Sequence, residues 1–159
     1  MPNPPATNAI QIRHATADDV EMIFQLLQPY VEAQILLKRD RDDIFQHLQE
    51  FLVAERQQQL IGAVCTHIYS KHLAEIRSLA VASSAQQCGV GRELVAACEA
   101  QMRILGIEQL FALTYVTDFF LRQGYRIVSK ESLPHKIWTV CVHCPHFSNC
   151  DEVAVEKAL

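Results

Sequence analysis

The run Ile10-Gln11-Ile12-Arg13 alternates apolar and polar positions, the two-residue period of a strand with one face buried. The period then changes. Val20, Ile23, Phe24, Leu27 and Tyr30 recur at spacings of three and four, which predicts a helix. Asp18 and Asp19 open it, where negative charge suits the positive end of a helix dipole. Pro29 is expected to end or kink it. A second helical stretch starts near Asp40, carries Ile44 and Leu48, and reaches towards Phe51.

Two strand-like runs follow, Phe51 to Glu55 and Leu60 to Tyr69, and the polar link Arg56-Gln57-Gln58-Gln59 between them reads as a hairpin turn without a glycine. A third strand is expected over Leu73 to Val81. Ala82 to Gly91 reads as a loop, and a long amphipathic helix follows it. The stripe Leu94, Val95, Cys98, Met102 and Leu105 on that helix is core, and Gly106 is its stop. Gln109 to Leu113 reads as a buried strand, Asp118 to Gln123 as a short helix closed by Gly124, and Tyr125 to Val128 as the last clear strand. Past Leu133 the pattern weakens. Strands in clusters with helices between them imply a mixed sheet covered by helices.

Length and composition narrow the class. A chain of 159 residues, half of them hydrophobic, suits one domain with a real core. A net charge of −4 lacks the basic excess of a nucleic-acid surface, so no nucleic-acid partner is expected. No apolar run approaches the roughly 20 residues of a spanning helix, so no membrane association is expected either. Residues 1–8, beginning Met1-Pro2-Asn3-Pro4-Pro5, lack a basic stretch followed by an apolar one and read as a disordered leader. Residues 9–159 are then one domain, with 133–159 a cysteine-rich segment. Six cysteines without a secretory signal fit a reducing, cytoplasmic setting better than a disulfide framework.

The stretch most informative about chemistry is Gln86-Gln87-Cys88-Gly89-Val90-Gly91-Arg92, which follows a strand and opens a helix. Glycines let the backbone turn tightly and approach a ligand closely. The unpaired N–H groups of a helix start, together with its dipole, form an anion site suited to a pyrophosphate. No Gly-Lys-Ser/Thr follows, so this is not a P-loop, and the third glycine of the dinucleotide fingerprint is missing.

In context the stretch resembles motif A of the GNAT acetyltransferases: Gln86, Gly89 and Gly91 match its spacing, and Leu79-Ala80-Val81 supplies the strand before it. Phe119-Phe120 with Gly124-Tyr125 is similar to the family's aromatic motif before its sixth strand, and the resemblance spans residues 10 to 128. It implies an α/β (α+β) GNAT fold, a mixed, mostly antiparallel sheet of six to seven strands flanked by about four helices. It also implies acetyl-CoA as co-substrate. The backbone of Leu79, Ala80 and Val81 would meet the pantetheine arm, and the amides of Gln86, Gln87, Cys88, Gly89, Val90, Gly91 and Arg92 would hold the pyrophosphate. Cys88 is read as an incidental thiol.

Several stretches resemble the short bacterial amino-acid N-acetyltransferases, the N-acetylglutamate synthases: Ala74 to Val81, Leu113-Thr114-Tyr115-Val116, Leu133 to Trp138, and the closing Cys141 to Glu152. The implied reaction acetylates L-glutamate by direct attack in a ternary complex, a step of arginine biosynthesis. Other acceptors (a different amino acid, a polyamine, a peptide terminus) and a non-catalytic acyl-CoA or amino-acid sensor stay open. An ammonium must lose a proton before it attacks a thioester, and Glu75 is the candidate base; its alternative is a strand-edge charge paired with Arg77. Many family members have a tyrosine as acid where this chain has Phe120, leaving Tyr115 or Ser78 as substitutes. Carboxylates of the acceptor call for cations, and Lys38, Arg39, Arg77 and Lys136 are candidates; Lys38 and Arg39 also read as a solvated basic turn. Cys141-x-x-Cys144 with Cys150 has half the spacing of a zinc site; reduced thiols are the preferred reading. Such domains often pair, so a homodimer stays open.

Overall fold

The computed structural model describes residues 8–134 and 151–159. Seven strands form one sheet: β1 (Gln11–His14), β2 (Phe51–Arg56), β3 (Gln59–Ser70), β4 (Leu73–Val81), β5 (Gln109–Thr114), β6 (Arg126–Val128) and β7 (Val153–Ala158). Their spatial order is β1-β2-β3-β4-β5-β7-β6. Every pairing is antiparallel except β4 with β5. Four α-helices complete the fold: α1 (Val20–Glu32), α2 (Arg41–Gln46), α3 (Val90–Ile104) and α4 (Thr117–Leu121). Among the described residues no helix is long and apolar enough to cross a membrane.

The apolar periods sort into two layers. Val20, Ile23 and Leu27 of α1 and Ile44 of α2 pack with Phe51, Val53, Ala63 and Cys65 on one face of the sheet. Val90, Leu94, Val95, Cys98 and Met102 of α3, with Phe120 of α4, pack with Leu52, Val64, Ala74 and Ile76 on the other. Gly62 lets α3 lie close, since a Cβ there would sit 2.9 Å from Val90 and 3.0 Å from Leu94.

One local expectation is corrected, the expected hairpin is found with its backbone defined, and one strand is added. The first helix runs through Pro29 to Glu32, where the Ala33 N–H closes its last turn on the Pro29 carbonyl. Proline lacks a donor, but so near the C-terminus it forfeits one bond rather than a helix. The hairpin between β2 and β3 turns on Gln57 and Gln58, both at positive φ (53° and 62°), the left-handed pair that glycine or asparagine commonly supplies. And β7, arising where the pattern had weakened, inserts between β5 and β6.

One irregularity in β4 bears on function. Ala80 pairs with Ala63 and Arg77 with Cys65, so Ser78 and Leu79 together face the single residue Val64 across the strands. This is a β-bulge, with Ser78 at φ 53°. It flips the side-chain parity: Ala74 and Ile76 face α3, and past the bulge Leu79 and Val81 do so. Ala80 turns instead to the α1 layer, the face shared by Leu73 and Glu75 before the bulge.

Candidate active site

Parallel strands β4 and β5 pair only at Ala74–Leu110 and Glu75–Phe111 and then diverge. The hydrogen bond from the Ala82 N–H to the Ile61 carbonyl fixes the alternation along β3–β4. The main-chain groups of Ala80 therefore point at β3, and those of Leu79 and Val81 point into the opening towards β5. A bulge followed by a splay thus leaves a strand edge exposed inside the fold.

The opening continues into a groove of about 910 Å³ lined by Leu79, Val81, Gln86, Gln87, Cys88, Gly89, Val90, Gly91 and Arg92. Gly89 is the N-cap of α3 at φ 83°, and no side chain caps the helix there. The first-turn N–H groups of a 15-residue helix therefore face the groove without a helical partner. Gly91 has a different constraint: a Cβ there would stand 3.2 Å from the Phe119 ring, which closes α4 over the first turn of α3. Of the residues expected at the cofactor, Ala80 alone is placed elsewhere, buried on the opposite face.

The groove also recruits Tyr30, Ala85, Val116, Phe119 and Arg122. Tyr30 was read as one more apolar-stripe residue of α1, because periodicity cannot tell a packed ring from one whose hydroxyl works. That hydroxyl donates to the Val81 carbonyl (2.9 Å) and accepts from the Val81 N–H (3.3 Å) and from Gln86 Nε2 (3.2 Å). It thus holds both cleft-facing groups of Val81. Neither Arg92 nor Arg122 makes an ion pair among the described residues, and Arg122 Nε donates to the Asp118 carbonyl of its own helix at 3.3 Å. Capless helix amides, the cleft-facing main-chain groups of Leu79 and two guanidinium groups without a carboxylate partner along one groove fit a long, phosphate-bearing thioester.

On the other face of β4 lies a second cluster. Glu75 is 8% exposed, and its Oε2 accepts a 2.7 Å hydrogen bond from the Tyr69 hydroxyl. Arg77 Nε lies 3.7 Å from the same oxygen, too far for a hydrogen bond, and has no other hydrogen-bond partner among the described residues. Burial pushes the Glu75 carboxyl up from its ordinary value; the Arg77 charge and the Tyr69 bond oppose that shift. Glu75 lies in the last paired step before the splay and is not among the residues lining the groove.

Arg39 is not the solvated basic residue that its neighbours suggested. Its side chain is largely buried, with Nε 2.6 Å from Asp43, Nη1 donating to Ser78 Oγ at 3.3 Å, and the guanidinium over the Phe51 ring. Lys38 is exposed, and Arg41 is held by Glu21. Tyr115 follows β5, half-buried and outside the groove lining; Phe120 is buried edge-on against Phe119 and Tyr125. Lys136 and the cluster Cys141, Cys144 and Cys150 lie outside the described residues.

A glycine loop at an uncapped helix start, beside a splayed parallel strand pair, defines a phosphate-binding α/β fold with a groove that suits a nucleotide thioester. The chain belongs to the acetyltransferase (GNAT) family, whose model matches residues 18–125, and it is an N-acetyltransferase that uses acetyl-CoA. It is 39% identical, over 93% of its length and 96% of the relative's, to an uncharacterized N-acetyltransferase of Chlorobaculum tepidum. It is 34% identical to the amino-acid acetyltransferase of Neisseria meningitidis serogroup A over 79% of its own length, but spans only 29% of that relative. Among solved structures, the N-acetylglutamate synthase of Neisseria gonorrhoeae complexed with coenzyme A and N-acetyl-glutamate matches with a TM-score of 0.86 at 28% identity, over 95% of this chain and 35% of that one. A Mycobacterium tuberculosis protein solved with CoA and NLQ matches at TM-score 0.81 and 25% identity, over 94% of this chain and 99% of the other.

Proposed function

We propose that the acceptor is a free amino acid, L-glutamate, and that the chain thereby makes N-acetylglutamate, a step of arginine biosynthesis. The observation that carries this reading is the cluster on the face of β4 turned away from the groove, where a buried carboxylate, Glu75, stands beside Arg77 and near Arg39 at Ser78. A free amino acid brings an ammonium that needs a base and carboxylates that need cations, and both demands meet here. The likeness to amino-acid acetyltransferases supports it.

The chemistry follows from these positions. Glu75 takes a proton from the ammonium, and burial makes it a stronger base than an exposed glutamate. The amine nitrogen attacks the thioester carbonyl carbon. Negative charge gathers on its oxygen, and the Leu79 N–H, facing the opening, is the main-chain donor for it. The carbon–sulfur bond then breaks. The nitrogen gives up its remaining extra proton as the amide forms, and the thiolate leaves as such or receives that proton relayed through Ser78, whose oxygen accepts from Arg39, or through Tyr115. Arg39, Arg77, Lys38 and Lys136 are the cations proposed for the acceptor's carboxylates.

Free-thiol release from acetyl-CoA with a panel of L-glutamate, other amino acids, polyamines and peptide amino termini tests the reading. L-Glutamate is expected to give the highest kcat/KM, and Arg77→Gln to raise its KM without weakening acetyl-CoA binding. Robust turnover of another amine with none of glutamate rejects this acceptor. Tight acetyl-CoA binding without turnover of any amine points instead to a sensing module.

A further inference from the structure

We propose that Tyr69 is the positioning residue of Glu75: its hydroxyl occupies Oε2 and leaves Oε1 as the atom that receives the acceptor's proton. The inference rests on the reading of Glu75 as base. Its ground is the architecture around the carboxylate. Glu75 faces His67 across the β3–β4 ladder, and Tyr69 lies two residues further along β3 on the same face, diagonal to Glu75. The phenol reaches Oε2 at 2.7 Å, while Oε1 carries no hydrogen bond among the described residues.

The ring making this contact is held on two sides. It lies tilted over Phe111 of β5 at 6.1 Å between centroids, and His67 packs edge-on against it at 4.8 Å. His67 is in turn bonded through Nδ1 to Glu50, ahead of β2. Glu50, His67 and Tyr69 form a fixed succession that ends at the carboxylate.

Among the described residues, the charged and titratable groups facing Glu75 are few. Arg77 shares its strand, Tyr69 and His67 come from β3, and Glu50 stands behind His67. From β5 and the other packed segments come Phe111, Leu133 and Ala154, all apolar. Arg77 draws the carboxylate electrostatically but is too distant to orient it. Among the described residues, Tyr69 alone does so by hydrogen bond. A phenol donates without taking the proton itself at neutral pH, so it fixes the base without competing as one.

The test titrates Glu75 in the unliganded protein, following its carboxyl carbon by NMR, with the signal assigned by its loss in Glu75→Gln. In Tyr69→Phe the ionised carboxylate loses a donor, and the midpoint should rise by about one pH unit. The acid limb of kcat/KM with acetyl-CoA and L-glutamate should rise with it and the plateau at high pH should fall, while the KM for acetyl-CoA holds. An unmoved midpoint, or an unchanged plateau, overturns the proposal. Should Tyr69→Phe not fold, protein carrying 3-fluorotyrosine, a stronger donor, replaces it: the midpoint should fall, and an unmoved one again overturns. Full turnover by Glu75→Gln sinks the reading of the base instead, a result separate from the titration.

Discussion

Replacing Gly89 probes the phosphate loop without adding bulk to the groove. A Cβ at this position meets only the flexible end of Arg92, 3.5 Å away, so crowding is not the issue. The backbone is: φ is 83°, where an L-residue with a side chain costs about 1–2 kcal/mol. Gly89→Ala must either hold that strained angle or relax it. If it holds, stability falls by about 1–2 kcal/mol, or roughly 2–8 °C in Tm for a chain of this size. If it relaxes, the first-turn N–H groups of α3 turn away from the groove, and each lost bond to a phosphate weakens CoA by about tenfold or more. Gly89→Asn separates the two outcomes, because asparagine tolerates the left-handed region and should sit between wild type and alanine. Melting curves and calorimetric titration with CoA, run on both variants, read the two quantities independently. An alanine variant that melts and binds as wild type does would refute the account of the loop.

The remaining predictions concern separate parts of the molecule. Gly91→Ala should keep its stability, since alanine favours a helix by about 1 kcal/mol, but weaken CoA because the new methyl must displace Phe119 at 3.2 Å; calorimetry and melting together check this. Tyr30→Phe removes the hydroxyl that holds Val81, so CoA should bind about fivefold tighter for each kcal/mol of contact removed, and a weaker Kd would show that Tyr30 instead aids binding. Asp19 takes a bidentate bond from Arg13 and one from the Thr16 N–H, which hold its carboxyl down at about 2, so this contribution exists above about pH 4 and is lost as pH falls towards 2. Asp19→Asn should cost about 2 kcal/mol in urea unfolding at pH 7 and nothing near pH 2. Glu75 behaves oppositely: the folded carboxyl binds its proton more tightly than the unfolded one, favouring folding on the acid side, an advantage lost as pH rises through the folded value. Glu75→Gln should therefore gain in Tm relative to wild type as pH rises, and a constant difference across pH would contradict the desolvation argument.

Periodicity located most of this fold because each element buries one face against one layer. The stripe from Leu94 to Met102 and the alternation of β1 could hardly do otherwise. It failed for β7, where Val153-Ala-Val-Glu-Lys-Ala alternates weakly and both faces are partly covered, Ala154 by one cluster and Val155 by another. The glycine loop was legible since φ and close approach restrict residue type at single positions. Tyr30 and Tyr69 were not, because a ring packed in a stripe or strand looks the same in sequence whether its hydroxyl meets water, Val81 or Glu75. Arg39 was misjudged for a related reason: burial of a charge depends on Asp43, Ser78 and Phe51, of which only Asp43 is a neighbour in sequence.

The bulge at Ser78 ties the two halves of the site together. With an unbroken two-residue period, Leu79 would turn its side chain to the Glu75 face and its main-chain groups towards β3, and Ser78 and Ala80 would present theirs to the opening instead. One extra residue reverses both. The edge proposed to meet the co-substrate faces the opening, while Glu75, Arg77 and Ala80 keep the opposite face. A serine at φ 53° is a strained choice for that residue, and its hydroxyl is the atom to which Arg39 donates. Ser78→Gly would relieve the strain and delete the Arg39 contact at once. Melting should then change little while turnover falls, and that split would place the value of the side chain in the chemistry rather than in the turn.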